Sequence, residues 1–112
     1  MEFTDEERAV LRAGLNEWGG PANPSDAIAI TMGFTGVADL FAERDRLVAQ
    51  IRARVPASRA DTDRAIAATE LAFVSDRVGS GVEWETTTGF SDAETIRRLR
   101  SIQRKVQRGA TL

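Results

Sequence analysis

The chain has 112 residues, a mass of 12.2 kDa and a formal net charge of −2 at pH 7, which is the size of one domain and no polycation. It contains no Cys, His or Tyr. That inventory excludes disulfides, thiolate nucleophiles, His- or Cys-ligated metals and a Ser-His-Asp triad, and leaves any acid–base chemistry to Asp, Glu or the single Lys105.

Helical periodicity dominates the chain. Thr4 and Glu7 have the spacing of a capping box, and Val10, Leu11, Leu15 and Trp18 line one side of a first helix over about 5–18. Gly19, Gly20 and Pro21 end it. Ser25 caps a short second helix, about 26–32, whose Ile28 and Ile30 point to different sides, so it is expected to be buried nearly all round. Gly33 is its left-handed stop and Phe34 the apolar residue that follows. Thr35 opens a third helix, about 36–54, with an apolar stripe from Val37 through Leu40, Leu47 and Ile51 to Val55. Pro56 ends it. Ser58 and Asp61 begin a fourth helix, about 60–78, with Ile66, Leu71, Phe73, Val74 and Val78 on one face and Ala65, Ala68, Ala72 and Ser75 on the other. Two packing faces make this the expected central helix.

Residues 79–90 break the pattern. Val82, Trp84, Thr86 and Thr88 alternate as in a strand, but no second strand-like run exists to pair with them. The segment is therefore expected to be an irregular Gly/Thr/Trp loop pinned by Trp84 and Phe90. Ser91 and Glu94 form a second capping box before the last helix, about 92–108, which is expected to bury Ile96, Leu99, Ile102 and Val106. Gly109 ends it. The expected fold class is thus all-α: a compact single-domain bundle of five helices over residues 1–112.

Several charged positions stand out. Asp63, Glu70 and Arg77 are spaced by seven and fall within the apolar arc of the fourth helix, while Arg44 falls within that of the third. Charges there are costly unless paired. The expected pair is Arg44–Glu70; the alternative is a polar pocket of Arg44, Glu70 and Arg77 that takes a small anion or a partner's side chain. Residues 93–112 carry six cations and one acid. Arg97, Arg98, Arg100, Arg104, Lys105 and Arg108 lie opposite the apolar side of the last helix, as a solvated face or one that meets an acidic surface. In the loop, Glu83 and Glu85 share a face of an extended chain and could hold a divalent cation weakly. Trp84 between them is expected to be a packing anchor, or a contact residue if exposed.

Ala29 and Gly33 have the Ala-x-x-x-Gly spacing of DNA-binding helix-turn-helix units, and Phe34 and Thr35 fit the turn. Residues 26–47 resemble that motif in part. The next apolar positions, Val37, Leu40 and Phe41, are one or two places out of register. Asp39 and Glu43 would meet phosphates at the start of the reading helix.

No nucleophile stands beside a base, and no metal-ligand spacing or phosphate loop occurs. Asp61-x-Asp63 lacks the Gly and terminal Glu of a calcium loop. No cofactor or metal is expected. No apolar run spans a membrane, and the acidic segment from Met1 to Glu7 is neither a secretory signal nor a myristoylation site. The expectation is a soluble cytoplasmic protein; fourteen Arg against one Lys suggests a GC-rich bacterial or phage genome. The expected function is a small non-enzymatic interaction or regulatory module that binds a protein partner through Trp84, Glu83, Glu85, Arg97, Arg100, Arg104 and Arg108. The alternatives are a nucleic-acid-associated regulator using the basic helix or the 26–47 corner, and ligand binding or catalysis at the Arg44/Glu70/Arg77 pocket. The Ala-rich faces of the third and fourth helices would also permit a homo-oligomer.

Overall fold

Thr4 and Glu7 open the first helix as a reciprocal pair. In the computed structural model, which describes residues 2–112, the Glu7 N–H donates to Thr4 Oγ1 at 3.1 Å and the Thr4 N–H donates to Glu7 Oε1 at 2.7 Å. Two N–H groups with no partner inside the helix are thereby satisfied. The elements in chain order are α1 (Asp5–Glu17), α2 (Asp26–Thr31), α3 (Val37–Arg52), α4 (Arg59–Val74), a 3-10 turn (Gly81–Glu83), α5 (Trp84–Thr88) and α6 (Asp92–Gln107). No strand occurs among the described residues, and no helix is long and apolar enough to cross a membrane. The all-α expectation holds. The radius of gyration is 12.7 Å, against roughly 13 Å for a compact globule of this length.

Local chemistry explains most helix boundaries. Ser25, Ser58 and Ser91 each accept a hydrogen bond from the backbone N–H three residues on, the N-cap role that favours short oxygen-bearing side chains. Among the described residues only Thr4–Glu7 completes both halves of a capping box; at Ser91–Glu94, expected as a second box, only the bond to the Ser91 hydroxyl forms. The start of α3 is capped from outside, not by Thr35. The Val37 N–H donates to Asp26 Oδ1 and the Thr35 N–H to Asp39 Oδ2, both at 2.9 Å. Gly33 ends the α2 segment with φ of 103°, a left-handed conformation that costs glycine nothing.

Three elements depart from expectation. The fourth helix stops at Val74, not at residue 78, because Ser75 leaves the helical region and its Oγ accepts from the N–H groups of Arg77 and Val78 at 3.2 and 3.1 Å. A serine that offers this local turn competes with the helix. Residues 81–88 are helical, not an irregular loop. Without a partner strand the backbone closes on itself, and the Thr87 and Thr88 hydroxyls donate back to the Glu83 and Trp84 carbonyls at 3.1 and 2.6 Å. Within α2 only Ala29 is buried, and Ile30 is 58% exposed, so that helix lies on the surface.

The central helix is α1, which packs on α3, α4 and α6; the sequence pointed to the fourth. Gly14 is the reason. An added Cβ there would lie 2.5 Å from Thr69 Cα, so glycine lets the α1 and α4 backbones approach. Trp18 locks the contact: its indole Nε1–H donates to the Ala68 carbonyl at 3.0 Å. Around this contact Val10, Leu11, Leu15, Leu40, Leu47, Ile51 and Ile102 form the buried core.

Candidate functional site

α4 and α6 both flank α1 but do not pack closely on each other. Between them lies a groove. One part, of about 460 Å³, is lined by Met32, Leu71, Phe73 and Val74 on one side and Ile96, Leu99 and Arg100 on the other. It adjoins a second hollow of about 380 Å³ bounded by Asp63 and Ile66 and by Val106 and Gln107. The two share Ala67, Glu70 and Gln103. Numbers rise along one wall as they fall along the other, so the walls are antiparallel helices. Val74 is 73% exposed and Ile96 47% exposed. The expectation that the last helix buries Ile96 is therefore corrected: Ile96 turns to the groove while Ile102 and Thr95 face the core.

Trp84 sets the width of one end. It is fully buried, so it offers no surface to a partner, and its expected role as a contact residue gives way to that of an anchor. Its indole Nε1–H donates to Thr95 Oγ1 of α6 at 2.8 Å. Its ring meets Phe73 of α4 edge-on, with centroids 5.5 Å apart and planes at 72°. One side chain thus spaces the end of α4 from the start of α6, and α5 exists to carry it. The sequence alternation hid this, because it pointed to an extended segment.

The polar features of the groove are few. Gln103 Nε2–H donates to Glu70 Oε2 at 2.6 Å across the groove, and Glu70 Oε1 has no hydrogen-bond partner among the described residues. On α6, Arg97, Arg100, Arg104 and Arg108 fall within an arc of about 80° beside the groove-facing side, at 100° per residue. All four are exposed. None joins an ion pair among the described residues. Lys105, on the other side of α6, behaves differently. Its Nζ donates to Glu7 Oε1 at 2.6 Å and to the Glu2 carbonyl at 3.0 Å. Burial alone would raise the Glu7 pKa; hydrogen bonds from Lys105, Ser101 and the Thr4 backbone outweigh it and hold the carboxyl below its ordinary value. Lys105 is thus a structural cation and leaves the basic face.

The expected Arg44–Glu70 pair does not form. Arg44 Nη1 donates to the Trp18 carbonyl at 2.6 Å, Nη2 pairs with Asp45 at 2.9 Å, and the guanidinium lies 5.0 Å from the Phe41 ring centroid. The ion pair between the third and fourth helices is instead Arg46–Asp61, at 3.0 Å, with Arg64 on the same carboxylate. Burial would raise the Asp61 pKa, but the hydrogen bonds from Arg46 and Arg64 win and lower it. Arg77 lies beyond the end of α4 on an exposed turn. The three-residue pocket of Arg44, Glu70 and Arg77 is therefore not assembled; only Glu70 lines the groove. Asp63 pairs with Arg59 at 3.1 Å.

Glu83 and Glu85 are both exposed. Helical backbone turns them apart, since side chains two residues apart do not share a helix face. Among the described residues no three Asp or Glu side chains converge as a metal site would need. At the 26–47 corner, Asp26 and Asp39 occupy the start of α3, the end a DNA-reading helix would present to phosphates. Periodicity named the apolar wall residues Leu71, Phe73, Val74, Ile96 and Leu99 as core; Leu99 is buried there and Leu71 and Phe73 pack against it, while Val74 and Ile96 are exposed at the groove. Gln103 carried no signal until Glu70 was seen opposite it. No protein family, curated protein or solved structure matches this chain.

Proposed function

We propose that the protein is a non-enzymatic binding module that holds a segment of a protein partner in the groove between α4 and α6. One observation carries the reading: an open apolar groove is bordered by four exposed arginines that join no ion pair among the described residues. Exposed apolar surface and unpaired charge on one side of a small domain are both relieved by a complementary surface. The reading retains Arg97, Arg100, Arg104 and Arg108 as contact residues and drops Trp84, Glu83 and Glu85 from that role. A nucleic-acid partner is less favoured by the same surface, because Glu70 and Asp63 line the groove and no aromatic side chain interleaves with the arginines.

The test is affinity capture from a source-cell lysate, with and without nuclease. Baits are the wild-type chain, Val74→Glu, Ile96→Glu and, as a control on the exposed end of α3, Arg52→Ser. A protein retained after nuclease by wild type and Arg52→Ser, and lost with both groove variants, supports the proposal. Retention that ignores the groove substitutions overturns it, as does captured nucleic acid whose removal strips the proteins.

A further inference from the structure

We infer that the occupant of the groove is an amphipathic α-helix of about three turns, with acidic residues along one flank and one lysine or arginine in its apolar face directed at Glu70. This occupant presupposes the binding role proposed above and gives it a chemistry. The length follows from the wall: Ile96 to Gln107 spans about 17 Å of helix.

The walls argue for a helix over a strand. They are helix interiors, whose backbone N–H and C=O groups already bond within α4 and α6. An extended peptide would find no backbone partners there and would bury its own polar groups unpaired. A helix satisfies its backbone internally and needs only side-chain contact. The floor and walls, Met32, Leu71, Phe73 and Leu99, supply that contact, with Met32 as a pliable filler.

Charge sets the two other requirements. The four arginines of α6 form a one-sided rim that joins no ion pair among the described residues, so an occupant with acids on the matching flank gains pairing and correct orientation. Glu70 is the single acid in the groove's middle, with one oxygen held by Gln103 and the other free. Arg100 lines the same groove yet does not pair with it. A purely apolar helix would strip water from that oxygen and return nothing, which disfavours binding. A cation on the helix's apolar face supplies the donor. Glu70 thus selects among helices that the groove and the arginine rim would otherwise hold alike.

A series of fluorescein-labelled helical peptides of about 15 residues tests this. Each has leucines on its apolar face, glutamates on one flank and a lysine placed in turn at each apolar-face position. Each lysine peptide has a Lys→Met counterpart. Anisotropy titrations use the wild-type chain, Glu70→Gln and Val74→Glu. At one lysine position the wild type should prefer Lys over Met by about tenfold, and Glu70→Gln should abolish the preference while binding the Met peptide at least as well. Replacing the flank glutamates with Gln should weaken binding and flatten its salt dependence. Equal affinity for Lys and Met peptides at every position overturns the role of Glu70 while leaving groove binding intact, provided Val74→Glu abolishes it. No binding by any peptide overturns the helical occupant and leaves the groove reading to the capture experiment, whereas binding that ignores Val74→Glu overturns the groove reading as well. So does displacement of the peptide by a single-stranded oligonucleotide, or by self-association seen in sedimentation.

Discussion

Glu7 is a carboxylate almost without water, 2% exposed, and it serves two masters: the Thr4 cap and Lys105. Lys105→Met should leave it buried and unpaired and lower stability by about 2–3 kcal/mol in urea unfolding at neutral pH, whereas Arg104→Met on the same helix should change it by no more than about 0.5 kcal/mol. The pH dependence has a definite sign. The folded pKa values of Glu7 and Asp61 are lowered, so their contribution is present above the ordinary carboxylate range and is lost as pH falls through the lowered values. Acid destabilisation should begin below about pH 4. Without Lys105, only the hydrogen bonds from Ser101 and the Thr4 backbone are left to oppose burial at Glu7, so its pKa should rise relative to wild type and the gap between Lys105→Met and wild type should shrink on acidification; a gap constant from neutral to acid pH would show that the two groups do not act as a pair. Gly14 carries the other residue-scale prediction. In a solvent-facing helix Gly→Ala stabilises by about 1 kcal/mol. Against the Thr69 backbone the added methyl should instead cost about 2 kcal/mol or more, read as a fall in melting temperature.

Elements show which rules travel in sequence. Four helix starts were legible because a cap is a contract between residues three apart: Thr4, Ser25, Ser58 and Ser91 all act as read, whereas the cap of α3 comes from Asp26, eleven residues away. Ends were less legible. Ser75 belongs to the small-residue face of the fourth helix by periodicity, but its hydroxyl favours a turn, and only the chain that follows decides between them. Ser75→Ala should remove the acceptor for two N–H groups and cost about 1 kcal/mol. The 81–88 segment failed for a related reason. Alternation reports which residues would face one way in a strand, not whether a strand has a neighbour. Thr95→Val checks its role. The Trp84 indole N–H would lie buried without a partner, a loss of about 1–3 kcal/mol by chemical denaturation, and in a Trp84→Phe background, which lacks the donor, Thr95→Val should cost less.

At the scale of the whole molecule, α1 sits at the centre and α4 and α6 stand apart across it, so side chains that each helix displays as core divide between core and groove. Val74→Ser should change stability by less than about 0.5 kcal/mol, whereas Ile102→Ala, on the buried side of α6, should cost about 2–4 kcal/mol in the same melt. Both residues lie in apolar arcs; periodicity assigns a face to an element and cannot say how far away the next element is. That distance depends on Gly14 against Thr69 and on Trp84 between Phe73 and Thr95, contacts between residues 55 and 11 positions apart that no local pattern encodes. The partners of buried charges follow the same rule. A charge in an apolar arc announces that it needs a counter-ion, but reach and helix rotation choose Arg46–Asp61 over Arg44–Glu70. By itself, then, the sequence determined the helical class, the starts of α1, α2, α4 and α6, the excluded chemistries and the basic stripe of α6, because these rest on composition and on interactions within one or two turns. The central helix, the ion-pair partners, the burial of Trp84 and the groove with Glu70 in it were decided by tertiary packing, because they depend on distances between helices.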